Sequence, residues 1–586
     1  MKMTKLVAAM LALVFILASC GNKDAADGGK NAIGKAITAD EKAMANEKRP
    51  DFSSPQLEDK KLKVNGLSEE VVWYTSNPGI FGSTRAKQGG EVSIALQEFP
   101  QTFRTLGPNS NGWFRSYLGT NGGLVATNNE TKEWMPQLAT HWAFSADKKT
   151  VYFKLNENVK WNDGEKVTSE DYLFTIEMMR SKNIQAPWYN DYFTNTIVDV
   201  KAYGDYVISI TGDVEGAPDI LLSNLSISPR PKHFYNGVIE EDWVDKYQWI
   251  YEPTVGPYTM DSFTKGELVT FKKVDDWWGY CYDYNKYRYN IDQINIKIIT
   301  GGRDIQKQYF FNGELDTYGL VIPKDWADSV EADPVKNGYI DRQYSFYEPL
   351  TDSIRVPDFD PKKAGEFFDK AGYTEIGDDG IRVDANGNRL SFEMIYTASF
   401  HSERLAVLKE EAKKAGLEIL LNNMTEGGFS LLLDKKHEAF FIGMGTGSIP
   451  GYWQYYHSEN AKEQTNNFTM VQNDELDNLI TKFKAEGDIP KKAEISKEIQ
   501  RLVHDLALVI PSYVVPYTRG ASWKWLRYPS WLNQKYSDAF LEPLANIMSG
   551  YNGYNWVDGD IKKEVIQAKM KGESFEPRTY IDDTNK

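Results

Sequence analysis

Residues 160–174, KWNDGEKVTSEDYLF, hold the densest set of structural signals in the chain. Asn162-Asp163-Gly164 is a turn sequence, because Gly accepts the positive φ angles that tight turns require. Thr168 stands three residues before Asp171, which is the spacing of a capping box at a helix start. The stretch therefore predicts a strand that ends near Trp161, a tight turn, and a helix that begins after Thr168.

The second half of the chain alternates strand and helix patterns. A strand is predicted over 390–396, a helix over 402–415 and a strand over 417–422. This order implies two parallel strands joined by a right-handed crossover, so the fold class is α/β. Other predicted elements are strands over 89–99, 150–161 and 509–517, a hairpin turn at Asn386-Gly387, and helices from Asp360-Pro361 and over 495–506.

The N-terminus has the form of a secretory signal. Lys2 and Lys5 precede an apolar run from Leu6 to Leu17, which is too short to span a bilayer well. Leu17-Ala18-Ser19-Cys20 resembles a bacterial lipobox, in which Cys20 is diacylated and becomes the mature N-terminus; the alternative is an ordinary signal with a chance cysteine. We therefore expect a chain anchored to the bacterial cell membrane by lipid, facing the periplasm or exterior.

Composition excludes several classes of function. The net charge of -16 argues against a nucleic-acid partner. Six scattered His and two Cys give no support for a metal site, and no cofactor is expected. The sequence has no G-x-S-x-G and no H-E-x-x-H motif, and GMGTGS at 443–448 lacks the Lys of a phosphate-binding loop. We therefore expect a protein that is not an enzyme.

Four stretches in order resemble the bacterial extracellular solute-binding proteins of family 5, the oligopeptide-binding receptors of ABC importers. They are EWMPQLATHWAFSADKKTVYFKLNENVKWNDGEKVTSEDYLF (133–174), VGPYTMDSFTKGELVTFKKVDDWWG (255–279), YFFNGELD (309–316), and the closing helix pair and strand of 473–517. Residues 275–299 resemble more closely the branch with microcin-C and murein-peptide receptors.

The resemblance implies a type II periplasmic-binding-protein fold with two hinged lobes and an extra subdomain in the first. We expect a signal peptide over 1–20, a polar tether over 21–88, lobe I over 89–299, lobe II over 300–513, and a return to lobe I with a C-terminal tail over 514–586. The crossings between lobes are expected near Lys297–Thr300 and Ser512–Val515. A monomer would close on its ligand and then dock on a membrane permease.

Two departures from the family pattern affect the expected ligand. The family's D-x-R-V-R-x-A-L helix is absent between Asp316 and Ala371, so about 60 family residues are missing and the second lobe is expected to be shortened. Many peptide receptors also place an aspartate near residues 445–447 to pair with the peptide amine, where this chain has Gly445, Thr446 and Gly447.

Candidate ligand-binding residues follow predicted strands, where loops converge. They are Met444, Thr446, Ser448, Trp453, Tyr455 and Tyr456 in the second lobe, and Phe103, Asn109 and Trp113 in the first. Three functions fit: an oligopeptide receptor, an oligosaccharide receptor of the same fold, and a surface lipoprotein for adhesion or signalling that has lost transport.

Overall fold

The computed structural model describes most of the chain in twelve segments. These are residues 57–59, 66–67, 70–110, 122–127, 133–320, 322–346, 359–424, 427–444, 451–486, 488–512, 517–529 and 553–582. The signal sequence, the lipobox with Cys20, Trp113, Thr446 and Ser448 lie outside the described residues.

The strands fall into several sheets. In chain order they are β1 (Leu57–Asp59), β2 (Trp73–Thr75), β3 (Glu91–Leu96), β4 (Val125–Thr127), β5 (Trp134–Pro136), β6 (Ala139–Phe144), β7 (Thr150–Leu155), β8 (Ile197–Ala202), β9 (Val207–Gly212), β10 (Tyr258–Thr264), β11 (Leu268–Lys273), β12 (Gln293–Ile298), β13 (Thr317–Tyr318), β14 (Ile340–Phe346), β15 (Glu375–Ile376), β16 (Arg382–Val383), β17 (Ser391–Tyr396), β18 (Glu418–Asn423), β19 (Ala439–Phe441), β20 (Tyr517–Trp523), β21 (Leu526–Arg527), β22 (Trp556–Val557) and β23 (Arg578–Asp582).

The described α-helices lie between these strands in the chain. In chain order they are α1 (Ser169–Arg180), α2 (Pro187–Asp191), α3 (Pro218–Leu225), α4 (Trp243–Lys246), α5 (Arg303–Asn312), α6 (Pro323–Asp328), α7 (Asp333–Lys336), α8 (Pro361–Lys370), α9 (Ser402–Lys413), α10 (Gly428–Leu433), α11 (Tyr452–Tyr456), α12 (Asp474–Ala485), α13 (Ile489–Asp505) and α14 (Gly559–Lys571). None of the helices in the described segments is long and apolar enough to cross a membrane.

Three sheets and one large hydrophobic core form lobe I. The sheets have the strand orders β1-β2-β6-β7-β9-β8, β10-β11-β12-β3 and β13-β20-β14-β23. Buried side chains from all three sheets contact one another in this core, including Ile94, Phe153, Ile296, Ile340 and Trp523. Lobe I therefore contains described residues from 70 to 346 and from 517 to 582, and the six-stranded antiparallel sheet is the predicted extra subdomain.

Lobe II contains described residues from 359 to 512. Its sheet has the order β18-β17-β19, and β17 pairs in parallel with both neighbours. Helix α9 joins β17 to β18, which confirms the predicted strand–helix–strand unit. A separate core lies against the helix pair α12 and α13 and is formed by Tyr452, Leu476, Ile480, Phe483, Ile499 and Val503. Whether this lobe is shortened relative to the family stays a prediction.

The first crossing between lobes lies later in the chain than the sequence predicts. Phe310, Leu315 and Tyr318 follow the predicted crossing at 297–300, yet all three are buried in the lobe I core. The boundary at residue 300 is therefore wrong, because residues 303–346 pack with β3 and β12. The chain leaves lobe I after Phe346 and has returned by Tyr517. Residues 513–516 lie outside the described part, so the crossing at Ser512–Val515 stays a prediction.

The folded body begins before residue 89, where the sequence places the end of the tether. Strand β2 pairs with β6 in the six-stranded sheet, and Trp73 is fully buried. Phe81 is buried as well, against Met135 and Tyr284. The predicted tether is thus too long, because three residues of strand give no alternation that could be recognised among polar neighbours.

The predicted strand over 509–517 is wrong for its first half. Residues 509–512 form no strand, and Ile510 exposes 87% of its surface. The described strand β20 runs over Tyr517–Trp523. Pro511 lacks the N–H that a sheet requires, and this effect outweighs the β-branched residues Val509 and Ile510 before it.

The turn at 160–168 has the predicted structure. Trp161 is buried in the lobe I core, and its N–H donates to the carbonyl of Glu165 at 2.8 Å. Gly164 has φ +98°, which only glycine adopts without strain. Thr168 and Asp171 form the capping box, in which the Asp171 carboxylate accepts from the Thr168 N–H at 2.9 Å.

Replacing Thr168 with Ala is expected to lower the free energy of unfolding by about 1 kcal/mol, as the loss of a helix cap does. Ligand affinity should not change, because the turn has a structural role. Chemical denaturation measures the first effect and titration calorimetry the second. Thr168→Ser, which keeps the hydroxyl, is the control; a loss of affinity at unchanged stability would contradict the assignment.

Candidate ligand-binding site

The carboxyl ends of parallel strands mark one edge in each lobe. In lobe I, β12 and β3 pair in parallel and end at Ile298 and Leu96. In lobe II, β17, β18 and β19 end at Tyr396, Asn423 and Phe441. Ligands of open α/β sheets bind outside such ends, because the loops that follow the strands converge there. The candidate segments are therefore 97–104 and 299–303 in lobe I, and 397–401 and 442–444 in lobe II.

These two edges contact each other through Arg303 and Phe400. The Arg303 guanidinium carbon lies 5.9 Å from the centre of the Phe400 ring. Phe400 also packs against His401, with ring centres 4.1 Å apart and the rings tilted by 45°, and exposes 49% of its surface. Burial, together with the charge of Arg404, lowers the pKa of His401. The strand-end edges of the two lobes therefore meet at Arg303 and Phe400.

Three aromatic rings, those of Phe103, Trp249 and Phe263, pack together beside the segment that follows β3. Phe103, a predicted ligand contact, is only 1% exposed and packs in the core. Its ring centre lies 4.8 Å from that of Phe263 and 5.4 Å from that of Trp249. Phe263 and Trp249 are 45% and 36% exposed, and they present the aromatic surface in place of Phe103. No sequence motif pointed to these two rings, which come from β10 and from the segment before it.

Two other predicted contacts have exposed positions in loops. Asn109 lies in an exposed loop of lobe I with φ +61°. Met444 lies three residues after the end of β19 and is 39% exposed. Met444 is therefore at the carboxyl edge of lobe II, as expected for a cleft residue.

The predicted aromatic residues of lobe II lie on α11. Trp453 and Tyr456 pack against the helical core of that lobe, and burial raises the pKa of Tyr456 to about 12. The Tyr455 ring lies 6.3 Å from that of Phe468. The Trp453 ring faces the amino group of Lys484 at 5.8 Å. These residues thus form a packed group, and Trp453 lies beside a contact between the lobes.

Two lysines of lobe II bind carboxylates of lobe I. Lys484 Nζ lies 2.7 Å from an oxygen of Asp213 and 3.4 Å from the Thr196 hydroxyl. Lys462 forms an ion pair with Asp191. All four charged side chains are partly exposed. Because each pair joins the two lobes, the pairs stabilise the closed arrangement.

Replacing both Lys462 and Lys484 with Met is expected to shift the protein towards an open arrangement. Ion pairs of this exposure contribute about 0.2–1 kcal/mol each, so the ratio of closed to open molecules should fall about two- to thirty-fold. Small-angle X-ray scattering measures the result as a larger radius of gyration. The control replaces Lys414 and Lys436 with Met, because they pair with Glu411 and Asp434 within lobe II; an unchanged radius in the Lys462/Lys484 variant would contradict the role.

The described residues hold no group of three or more His, Cys, Asp or Glu side chains suited to a metal ion. The arrangement instead offers aromatic rings, strand-end backbone groups and arginines. These groups can bind an extended or flat organic solute without chemical change.

Comparison with known proteins agrees with this geometry. Residues 133–348 match the model for bacterial extracellular solute-binding proteins, family 5 Middle. The dipeptide-binding protein DppE of Bacillus subtilis is 23% identical over 519 residues, which cover 76% of this chain and 92% of DppE. Residues 133–348 contain the first three of the four stretches that resemble the family.

Solved structures share the fold. The oligopeptide-binding protein AppA of Bacillus subtilis, in complex with a nonapeptide, matches with a TM-score of 0.65 at 17% identity, over 81% of this chain and 100% of AppA. A mannohexaose-bound periplasmic oligopeptide-binding protein of Thermotoga maritima matches with a TM-score of 0.63 at 14% identity, over 81% of this chain and 99% of that one. The predicted type II fold is confirmed. Over residues 133–348 the chain is similar to the family 5 bacterial extracellular solute-binding proteins.

Proposed function

We propose that this protein captures oligopeptides between its two lobes and delivers them to a membrane permease. The observation that carries the proposal is the meeting of two strand-end edges, one from each lobe, at Arg303 and Phe400. A solute bound there contacts both lobes and therefore stabilises the closed form. The closed form is the one that a permease would recognise.

Exposed aromatic rings favour a peptide as the solute. Phe263 in lobe I and Phe400 in lobe II are both about half exposed, and such rings can accept the side chains of an extended peptide. The Bacillus subtilis relatives named for dipeptides and oligopeptides support the same choice.

An oligosaccharide is the second candidate. Trp249 and Phe263 are exposed aromatic rings, and such rings also pack against sugar faces. The mannohexaose-bound Thermotoga maritima protein shows that the fold accommodates an oligosaccharide. The absence of aspartate at residues 445–447 favours this alternative too, because it removes the usual partner of a peptide amine.

A thermal-shift screen separates the candidates. Pooled peptides in large excess should raise the melting temperature by several degrees, since ligand at about 100 times Kd stabilises the folded state by about 2.7 kcal/mol. Pooled oligosaccharides are the comparison. Stabilisation by sugars alone would overturn the peptide assignment, and no shift with either pool would favour the adhesion or signalling function.

We also propose that Cys20 carries lipid and anchors a monomer outside the cytoplasmic membrane. The proposal rests on the lipobox at 17–20 and on the extracellular character of the family. Cys20→Ala expressed in a bacterial host should move the protein from the membrane fraction to the soluble fraction. Retention of the variant in the membrane fraction would contradict acylation at this cysteine.

A further inference from the structure

Arg519 occupies an unusual position on β20, near the point where the chain returns from lobe II. Its guanidinium carbon lies 4.0 Å from the ring centre of Tyr517, 5.0 Å from that of Tyr344 and 5.6 Å from that of Trp326. Tyr344 on β14 is its direct cross-strand partner. The rings hold the guanidinium by cation–π attraction but satisfy none of its N–H groups.

Two nitrogen atoms of Arg519 lack hydrogen-bond partners. Nε and Nη1 are both buried, and neither donates a hydrogen bond to any group in the described part of the chain. Two other largely buried cations in the described segments have a carboxylate partner: Lys524 contacts Asp341, and Arg230 contacts Glu252. A buried donor without an acceptor destabilises the folded state, so its presence calls for a ligand.

A second arginine lies close to the first. Arg303 donates through Nη2 to the carbonyl of Gly319, and the next residue, Leu320, donates its N–H to the Arg519 carbonyl at 3.1 Å. Arg303 Nε is also buried without a partner. Because Arg303 reaches Phe400 of lobe II and Arg519 lies opposite Tyr344 near the return from that lobe, both arginines lie where the two lobes meet.

We infer that Arg519, with Arg303 beside it, is an anion site that binds a carboxylate of the captured solute. The inference rests on the proposed function for the cleft. A planar guanidinium fixed by aromatic rings is preorganised for a carboxylate, and charge-assisted hydrogen bonds to it are strong in a partly buried site. The protein would then recognise the solute by its carboxylate. This agrees with the absence of aspartate at 445–447, where many peptide receptors bind the peptide amine.

The test compares the wild type with Arg519→Gln and Arg519→Lys. The first probes are a pool of peptides free of Asp and Glu and the same pool amidated at the C-terminus. The second probes are sodium acetate and sodium succinate, compared with sodium chloride at equal ionic strength. We expect the wild type to bind free peptides at least about tenfold more tightly than amidated ones, and Arg519→Gln to lose that preference. Arg519→Lys should keep part of it.

The control variant is Arg389→Gln, which removes a surface arginine already paired with Glu418 and Asp379 and should keep the preference. Equal binding of both pools by the wild type, or an unchanged preference in Arg519→Gln, would overturn the inference. Stabilisation of the wild type by succinate but by no peptide would support the anion site and overturn the peptide function. No response to any carboxylate or peptide would overturn the anion site. Melting temperatures show that each variant folds.

Discussion

Asp341→Asn is expected to lower the free energy of unfolding by about 3–5 kcal/mol, the range for one partner removed from a buried ion pair. Asp341 accepts a hydrogen bond from Lys524 Nζ at 3.0 Å, and its other oxygen lies 3.9 Å from Arg527 Nη1. All three side chains are almost completely buried. Asparagine keeps the shape but leaves the buried Lys524 without its carboxylate partner and takes a negative charge away from Arg527.

Urea denaturation followed by circular dichroism measures this loss. Asp283→Asn is the matched control, because Asp283 also pairs with a lysine, Lys286, but on the surface of the same lobe. The control should unfold almost as the wild type does. Equal stability of Asp341→Asn and the wild type would show that the buried cluster is not held by charge.

Glu252→Gln is the second substitution with a large expected effect, again about 3–5 kcal/mol. The buried Glu252 carboxylate pairs with Arg230 and accepts hydrogen bonds from Tyr235 at 2.8 Å and Thr105 at 3.1 Å. Burial and the Glu252 charge raise the pKa of Tyr235 well above its usual value. The substitution leaves Arg230 unpaired and loosens the loop after β3.

Glu240→Gln provides the comparison for this site, since Glu240 pairs with Lys246 on the surface. We expect a clear loss of stability in Glu252→Gln and almost none in Glu240→Gln. Because Thr105 belongs to the same loop as Phe103, we also expect faster amide exchange at 103–105. Two equally stable variants would contradict the assignment.

Local signals predicted the local structure well. The turn and capping box at 160–171 and the strand–helix–strand unit at 391–423 depend on neighbours in sequence, so their patterns are visible there. The family resemblance extended these fragments to a two-lobed fold.

Long-range pairings explain the errors. Residues 303–346 belong to lobe I because β14 pairs with β20, which is almost 180 residues later in the chain. The site has the same difficulty: Arg303, Arg519 and Phe400 come from three distant segments and have no motif in common. Phe103 was a reasonable candidate from its place after β3, yet its side chain points into the core while Trp249 and Phe263 are exposed.

The central claim is that one solute contacts both lobes at their strand-end edges. Hydrogen–deuterium exchange with and without a stabilising peptide tests it most directly. We predict slower exchange, on peptide binding, in segments 97–104 and 299–303 of lobe I and in segments 397–401 and 442–444 of lobe II together. Slower exchange in one lobe alone, or in neither, would contradict capture between the lobes.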